Sequence, residues 1–240
     1  MNDALGTRLE GRVPPGIFAT TLIVLRKDLL LEWRTRARLN ALLFFALATL
    51  LLFSFALGPD TKLLARNAGG YFWLALLFSS VLALGESFRV ESENAALDGL
   101  RLAPTDARGI FLGKALGNAL LLFGMGLLIL PVMIALYSVA LPWAAVGQFL
   151  LVLLLGCLAI CAPGTIYSAV AHNARARDVL LPLLLFPLII PALLAATKAT
   201  SLALHGDPMD QMGSWLALLC GFDVVYWGLG MVLFGRVIEE

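Results

Sequence analysis

The stretch ALGNALLLFGMGLLILPVMIALYSV, residues 115–139, contains no charged side chain. A helix of about 20 apolar residues is long enough to cross the ~30 Å hydrocarbon core of a bilayer. The apolar residues are continuous rather than alternating, which excludes the strand pattern of a membrane barrel. Because lipid offers no hydrogen-bond partner to the backbone, the stretch predicts a transmembrane helix.

Five further apolar stretches accompany this one. The chain is 60% hydrophobic and only 14% charged, and its mean hydropathy is +0.91, which excludes an ordinary soluble domain with about 25% charged residues. The 240 residues accommodate six spans and short connections. We therefore predict an all-α membrane protein with six transmembrane helices, at 40–57, 70–87, 115–139, 145–171, 179–197 and 214–235.

The placement of Lys and Arg predicts the orientation. Fourteen of the 17 lie on one side of the predicted spans: seven before span 1, four after span 2, two after span 4 and Arg236 at the end. The other side has Lys62, Arg66 and Lys198. By the positive-inside rule both termini are cytoplasmic. No basic tract indicates nucleic-acid binding.

A helix before span 1 is predicted over residues 20–38, after an N-terminal extension, 1–19. Leu22, Leu25, Leu29 and Trp33 recur at helical spacing in TTLIVLRKDLLLEWRTRARL, residues 20–39. This pattern is typical of a helix that lies in the membrane interface with its cations on lipid head groups. The alternative is a solvated lead-in to span 1. The interfacial helix is expected to use Arg26, Lys27, Asp28 and Trp33.

The segment ESFRVESENAALDGLRLAP, residues 86–104, concentrates charge between spans 2 and 3. Ala96, Leu97 and Leu100 form a stripe with charged flanks, which predicts a short amphipathic helix over 93–102 that ends before Pro104. A plain connection needs only a few residues. The segment is therefore predicted to dock on a soluble cytoplasmic partner, with Glu86 pairing locally with Arg89.

Prolines disturb spans 4 and 5. Span 5 contains Pro182, Pro187 and Pro191, and span 4 contains Pro163 before Gly164. Each proline removes a backbone donor, so span 5 is expected to be bent or partly unwound. Two interpretations stay open: these helices move or line a pathway, or their prolines are ordinary features of membrane helices.

Polar residues within the spans are few. Asp223 is a candidate functional residue because a charge at membrane depth is costly. His172 and His205 can each ligate a metal ion, but they fall at opposite ends of the predicted helices, so they cannot share one iron. Cys157 and Cys161 share a helix face and are expected to be packing residues rather than metal ligands. No catalytic triad, carboxylate pair or metal cluster is indicated.

Several pieces of the chain resemble one family. They are LRKDLLLEWR at 25–34, LNALLFFALATLLLFSFALGPD at 39–60, LGK at 112–114, VLLPLLLFPLIIPALLAAT at 179–197, and the run Phe88, Arg89, Glu91, Glu93, Leu97, Asp98, Leu100 and Pro104. Their order is similar to that of the haem exporter protein B (CcmB) family, the membrane subunit of the ABC-type complex of bacterial cytochrome c maturation. The resemblance covers residues 20–235. It departs at Ala95, where family members usually have glycine.

The resemblance implies an ABC-2-type permease domain over residues 39–240 in the bacterial inner membrane. It also implies a second copy of the chain, an ABC ATPase subunit, a haem-handling membrane subunit, a small membrane subunit and a periplasmic haem chaperone. Haem is then a substrate, and ATP is used by the partner. Consistently, GIFLGKA at 109–115 lacks the spacing and the Ser or Thr of a nucleotide-binding loop, so the chain is not expected to be an enzyme itself.

The residues expected to couple the permease to the ATPase are Glu86, Arg89, Glu91, Glu93, Leu97, Asp98 and Leu100. Two other functions remain open from the sequence: a permease for a lipid, glycan or drug, and a scaffold that anchors the ATPase without transporting anything.

Overall fold

The computed structural model describes residues 16–58, 60–87, 106–172 and 177–239. Seven α-helices occupy these ranges, and no strand occurs in them. The helices are α1 (Ile17–Thr35), α2 (Ala37–Leu57), α3 (Thr61–Ser87), α4 (Ala107–Tyr137), α5 (Trp143–His172), α6 (Arg177–His205) and α7 (Met212–Glu239).

Six of these helices, α2 to α7, are long and apolar enough to cross a membrane. The prediction of six membrane helices is therefore confirmed, although two of them begin earlier than predicted. Helix α3 begins at Thr61 rather than near residue 70, and α4 begins at Ala107 rather than near residue 115. With 31 residues, α4 is about 46 Å long, longer than the ~30 Å hydrocarbon core.

Helix α3 is the most buried of the six spans and α7 the least. α3 packs against α2, α4, α5 and α6, so it forms the centre of the bundle. Trp73 of α3 donates a hydrogen bond from Nε1 to Thr200 Oγ1 of α6 at 2.8 Å. Gly156 of α5 makes room for this indole, because a Cβ there would lie 2.1 Å from the Trp73 ring.

Helix α6 is continuous from Arg177 to His205 and includes all three prolines. The partial unwinding considered for this span is therefore absent from the described residues, while a bend stays a prediction. Pro187 and Pro191 lie on the exposed side of the helix, and Leu185, Ile189 and Ala192 lie on its buried side. The helix therefore packs on its neighbours through the side that faces away from Pro187 and Pro191.

Helix α1 lies beside the start of α4. A left-handed residue, Arg36 (φ 46°), separates α1 from α2 and permits the change of direction between them. The predicted bounds of 20–38 for this helix are therefore too late at the end, since Arg36 interrupts it and Ala37 already belongs to α2.

Candidate functional site

A group of buried and partly buried polar side chains surrounds the end of α3, which precedes segment 88–105. We call this group the polar cluster. Its members come from α1, α2, α3, α4 and α5 and are Asp28, Glu32, Arg38, Ser87, Lys114, Asn118, Thr165 and Ser168.

Side chains of the polar cluster bind carbonyl oxygens in the last turn and a half of α3. A helix leaves its last four carbonyl groups without intrahelical partners. Here Lys114 Nζ donates to the Ser87 carbonyl at 2.7 Å, and Ser168 Oγ donates to the Leu84 carbonyl. Arg38 donates to the Ala83 carbonyl. Two of the three donors are cations, which the negative end of a helix dipole favours.

Lys114 connects α4 to α1 as well as to α3. Its Nζ lies 3.2 Å from Asp28 Oδ2, and only 3% of the lysine side chain is exposed. One turn later, Asn118 Nδ2 donates to Ser87 Oγ at 3.1 Å and to Thr165 Oγ1 at 3.4 Å. Lys114 and Asn118 are four residues apart and therefore share a face of α4. This face joins four helices through polar contacts.

A second ion pair attaches α1 to α2. Arg38 Nη1 lies 3.0 Å from Glu32 Oε2, and the side chains are 25% and 12% exposed. Asp28 and Glu32 are four residues apart, so both acids of α1 point at the bundle from one face. Several large apolar side chains of α1 take the other faces, with Leu22 65% exposed and Trp33 70% exposed.

Three glycines of α4 let α1 approach closely. A Cβ on Gly109 would lie 2.7 Å from Thr20 Cβ, and one on Gly113 would lie 2.7 Å from Val24 Cβ. Gly117 faces Leu25 and Asp28 at ordinary van der Waals distances. The contacts advance by four residues on both helices, so α1 and α4 run in the same direction with a small-residue interface.

The two chain ends that border segment 88–105 are thus held by one set of helices. The end of α3 is bound by α2, α4 and α5, and the start of α4 is bound by α1. Asp106 also caps α4 by accepting a hydrogen bond from Arg108 N at 2.9 Å. A force applied to the segment would therefore reach several membrane helices through short polar contacts.

The structure locates some of the residues predicted for ATPase coupling. Glu86 lies in the last turn of α3, beside the polar cluster. The others, Arg89, Glu91, Glu93, Leu97, Asp98 and Leu100, lie outside the described residues. Among the residues predicted for the interfacial helix, Asp28 belongs to the polar cluster, whereas Arg26 and Trp33 are exposed. Lys27 Nζ lies 3.2 Å from Asp28 Oδ1.

Two further candidates from the sequence, His205 and Asp223, are not brought together with the cluster. His205 is exposed at the end of α6, with Nδ1 3.0 Å from the Ser201 carbonyl oxygen. In the loop that follows, Asp207 caps α7 by accepting hydrogen bonds from Gln211 N and Met212 N, and these bonds lower the pKa of its carboxyl group. Asp223 lies inside α7 and is 8% exposed.

Sequence reasoning did not identify most of the polar cluster. Lys114 contributed only to the charge count and to the LGK match, and Arg38 only to the charge count. A usable signal was present in Asp28 and Glu32, which are four residues apart on a helix whose leucines take other faces. Asn118, Thr165 and Ser168 give no such signal. Each is a single polar residue in a membrane helix, and its spacing does not indicate which residue it contacts.

Comparison with known proteins identifies the family. Residues 19–238 match the model of the family described as CcmB protein. The chain belongs to the CcmB family. It is 32% identical to haem exporter protein B of Pseudomonas aeruginosa, over 83% of this chain and 88% of that relative. The corresponding protein of Haemophilus influenzae is 34% identical, over 82% of this chain and 87% of the relative.

The Escherichia coli K12 protein of the same name is 33% identical to this CcmB-family chain, over 82% of the chain and 87% of the relative. The family resemblance drawn from the sequence is therefore confirmed. Together with the six apolar helices, it makes the chain a multi-pass bacterial membrane protein. The polar cluster lies within the residues that match the family.

Proposed function

We propose that this chain is the transmembrane permease subunit of an ABC transporter-like complex in cytochrome c biogenesis. In this proposal the chain has no ATPase site, and ATP hydrolysis by a partner subunit powers either haem export or release of the haem-loaded chaperone. The observation that carries the proposal is the attachment of both borders of segment 88–105 to one set of helices. Membership of a family with relatives named haem exporter protein B supports haem as the substrate.

The coupling step follows from this attachment. The ATPase binds the amphipathic stripe of segment 88–105, and nucleotide-driven closure of two ATPase copies displaces the segment. The displacement passes through Ser87 and Lys114 to α3 and α4, because the Lys114 ammonium group binds the end of one helix from the third turn of the other. Asp28 extends the connection to α1. No such rigid attachment is needed for a passive connection between two spans.

Helix α1 is proposed to lie at the cytoplasmic surface of the inner membrane. Its exposed apolar side chains, among them Leu22 and Trp33, enter the head-group region, and Arg26 and Lys27 bind anionic lipid head groups. Both termini are cytoplasmic in this arrangement. The remaining partners are a second copy of the chain, a haem-handling membrane subunit, a small membrane subunit and a periplasmic haem chaperone.

The docking step is tested by placing charge on the predicted stripe. Leu97→Glu and Leu100→Glu should each reduce co-purification of the ATPase subunit with the full chain at least about tenfold, since burying an unpaired carboxylate in an apolar groove costs well over 1.4 kcal/mol. Ala95→Glu adds the same charge on the opposite side of the predicted helix and is the matched control. Undiminished recovery of the ATPase with both leucine variants would refute the docking role.

A further inference from the structure

The inward face of α7 carries a polar interruption between two apolar clusters. Leu219 belongs to the large core that includes Cys157 and Cys161 of α5. Phe234 belongs to a second, smaller cluster with Phe111 of α4. Asp223 lies between these two regions along α7, so the apolar packing of this helix is divided at a carboxyl group.

Asp223 and Trp227 both present buried polar atoms without a protein partner. Both carboxyl oxygens of Asp223 and the indole Nε1 of Trp227 are inaccessible and make no hydrogen bond within the described residues. The Asp223 side chain is more than nine-tenths buried. The two residues are four apart, so an acceptor group and a donor group share one face of α7 with about 6 Å between their Cβ atoms.

Within the part of the chain that the structure describes, the groups around Asp223 supply no positive charge. From α5 the facing titratable groups are the thiols of Cys157 and Cys161, which lie in electrostatic range of the carboxyl group. α4 presents Phe111 to the same part of α7, where it packs on Trp227 with ring centroids 5.9 Å apart. Lys114 of α4 is instead held by Asp28 and Ser87, and Lys198 and His205 of α6 are exposed.

This environment determines which ligand fits. An ionised carboxylate at this depth would lack both water and a counter-ion, which is costly enough to favour the neutral acid. The neutral acid can donate and accept, whereas the indole N–H only donates. A ligand that accepts from the indole and hydrogen-bonds to the carboxyl group satisfies both, and water is the smallest molecule able to do so.

We propose that Asp223 and Trp227 form a hydrated proton-binding site between α5 and α7 in the middle of the membrane. The carboxyl group carries a proton while α7 is packed on α5, and gives that proton to water when the two helices separate. Rising pH then favours the separated state, because the carboxylate is stable only where water reaches it. The site gives the permease domain a proton-dependent movement that does not require contact with the ATPase.

Cys161 reports on this movement, since a thiol reacts with aqueous thiol-specific reagents only as a water-exposed thiolate. The full chain in lipid nanodiscs would be treated with aminoethyl methanethiosulfonate over a pH series, and the labelled fraction of the Cys161 peptide would be quantified by mass spectrometry. We expect the ratio of Cys161 labelling in the wild type to that in Asp223→Asn to rise with pH, by at most about tenfold per pH unit for one proton.

Asp223→Asn keeps the side-chain shape but cannot ionise, so its Cys161 labelling should follow thiol ionisation alone. An unchanged ratio across the pH series would overturn the proposal. Infrared spectroscopy gives a second measurement, which does not depend on separation of α5 and α7. The wild-type minus Asp223→Asn difference spectrum at neutral pH should contain the carbonyl band of a protonated carboxylic acid, and this band should shift in D₂O. A carboxylate band in its place would equally refute the site.

Trp227→Phe tests the indole N–H separately. This variant retains an aromatic ring against Phe111 but removes the donor that orders the water, so the carbonyl band of the acid should move to higher wavenumber as its hydrogen bonding weakens. An unchanged band position would remove Trp227 from the site. ATPase co-purification should be unchanged in Asp223→Asn. Failure of this inference is thereby distinguishable from failure of the proposed function.

Discussion

Lys114 is an ammonium group in a nearly dry part of the fold, with 3% of its side chain exposed. Burial removes several kcal/mol of hydration from such an ion, and only well-placed partners offset the loss. The Ser87 carbonyl at 2.7 Å and the Asp28 carboxylate at 3.2 Å are those partners. Since Asp28 carries the compensating charge, the pair should be more sensitive to loss of Asp28 than an exposed ion pair would be.

Asp28→Asn should therefore lower the free energy of unfolding by about 3 kcal/mol, at the low end for a buried pair because Asp28 is one-fifth exposed. Adding Lys114→Met removes the ammonium group that has lost its Asp28 carboxylate, so the double variant should be more stable than Asp28→Asn alone. SDS titration in mixed micelles measures both. Lys62→Gln, at an exposed lysine, serves as control and should change stability by less than about 0.5 kcal/mol. An Asp28→Asn effect as small as that of the control would contradict the structural role.

The α1–α4 interface depends on the absence of side chains at particular turns of α4. Alanine normally stabilises a helix by about 0.5–1 kcal/mol relative to glycine. At Gly124 a Cβ would meet nothing within 4 Å, whereas at Gly113 it would lie 2.7 Å from Val24 Cβ and 2.9 Å from the Thr21 carbonyl oxygen. The same substitution in the same helix therefore has opposite expected effects at these two positions.

Gly124→Ala should leave stability unchanged or raise it by up to about 1 kcal/mol. Gly113→Ala should lower it by about 1–3 kcal/mol, because the backbone of α1 has to shift to admit the methyl group. Unfolding measurements on the two variants check the difference in sign, and proteolysis between α1 and α2 checks that α1 is the helix released. Equal effects at both positions would show that α1 is not packed as described.

At the scale of elements, hydrophobic length predicts the spans well but not their ends. The residues from Leu120 to Leu130 include no polar side chain, so the existence of α4 follows from the sequence. Its extension to Ala107 does not, because residues 107–114 include Arg108 and Lys114. Arg108 is exposed, and Lys114 is accommodated by α1 and by the end of α3. The sequence gives no indication of which distant elements provide this support.

The same distinction applies to the candidate site. The concentration of charge in segment 86–104 can be read directly from the amino-acid sequence, and it predicts that the segment binds a partner. The polar cluster at its base joins residues up to 84 positions apart, such as Ser168 with Leu84. Such contacts depend on the packing of five helices, which a single sequence without relatives does not specify.

At the scale of the whole molecule, the connectivity separates a cation-rich end of the bundle from a cation-poor end. With six spans, the connections α2–α3, α4–α5 and α6–α7 belong to one side, and residues 58–60, 138–142 and 206–211 contain no Lys or Arg. The opposite side receives α1, the ends of α3, α5 and α7, and the starts of α4 and α6. Cationic connections resist translocation across the inner membrane, so this second side should be cytoplasmic.

Reporter fusions test this orientation directly. Green fluorescent protein fused after Glu240 should fluoresce, because it folds in the cytoplasm and not after export through the general secretory pathway. Alkaline phosphatase fused after Asp210 should be active, because its disulfides form only in the periplasm, whereas the same enzyme fused after Glu240 should be inactive. Active phosphatase at the C-terminus would reverse the orientation. It would also place segment 88–105 out of reach of a cytoplasmic ATPase, so this measurement bears on the proposed function as well as on topology.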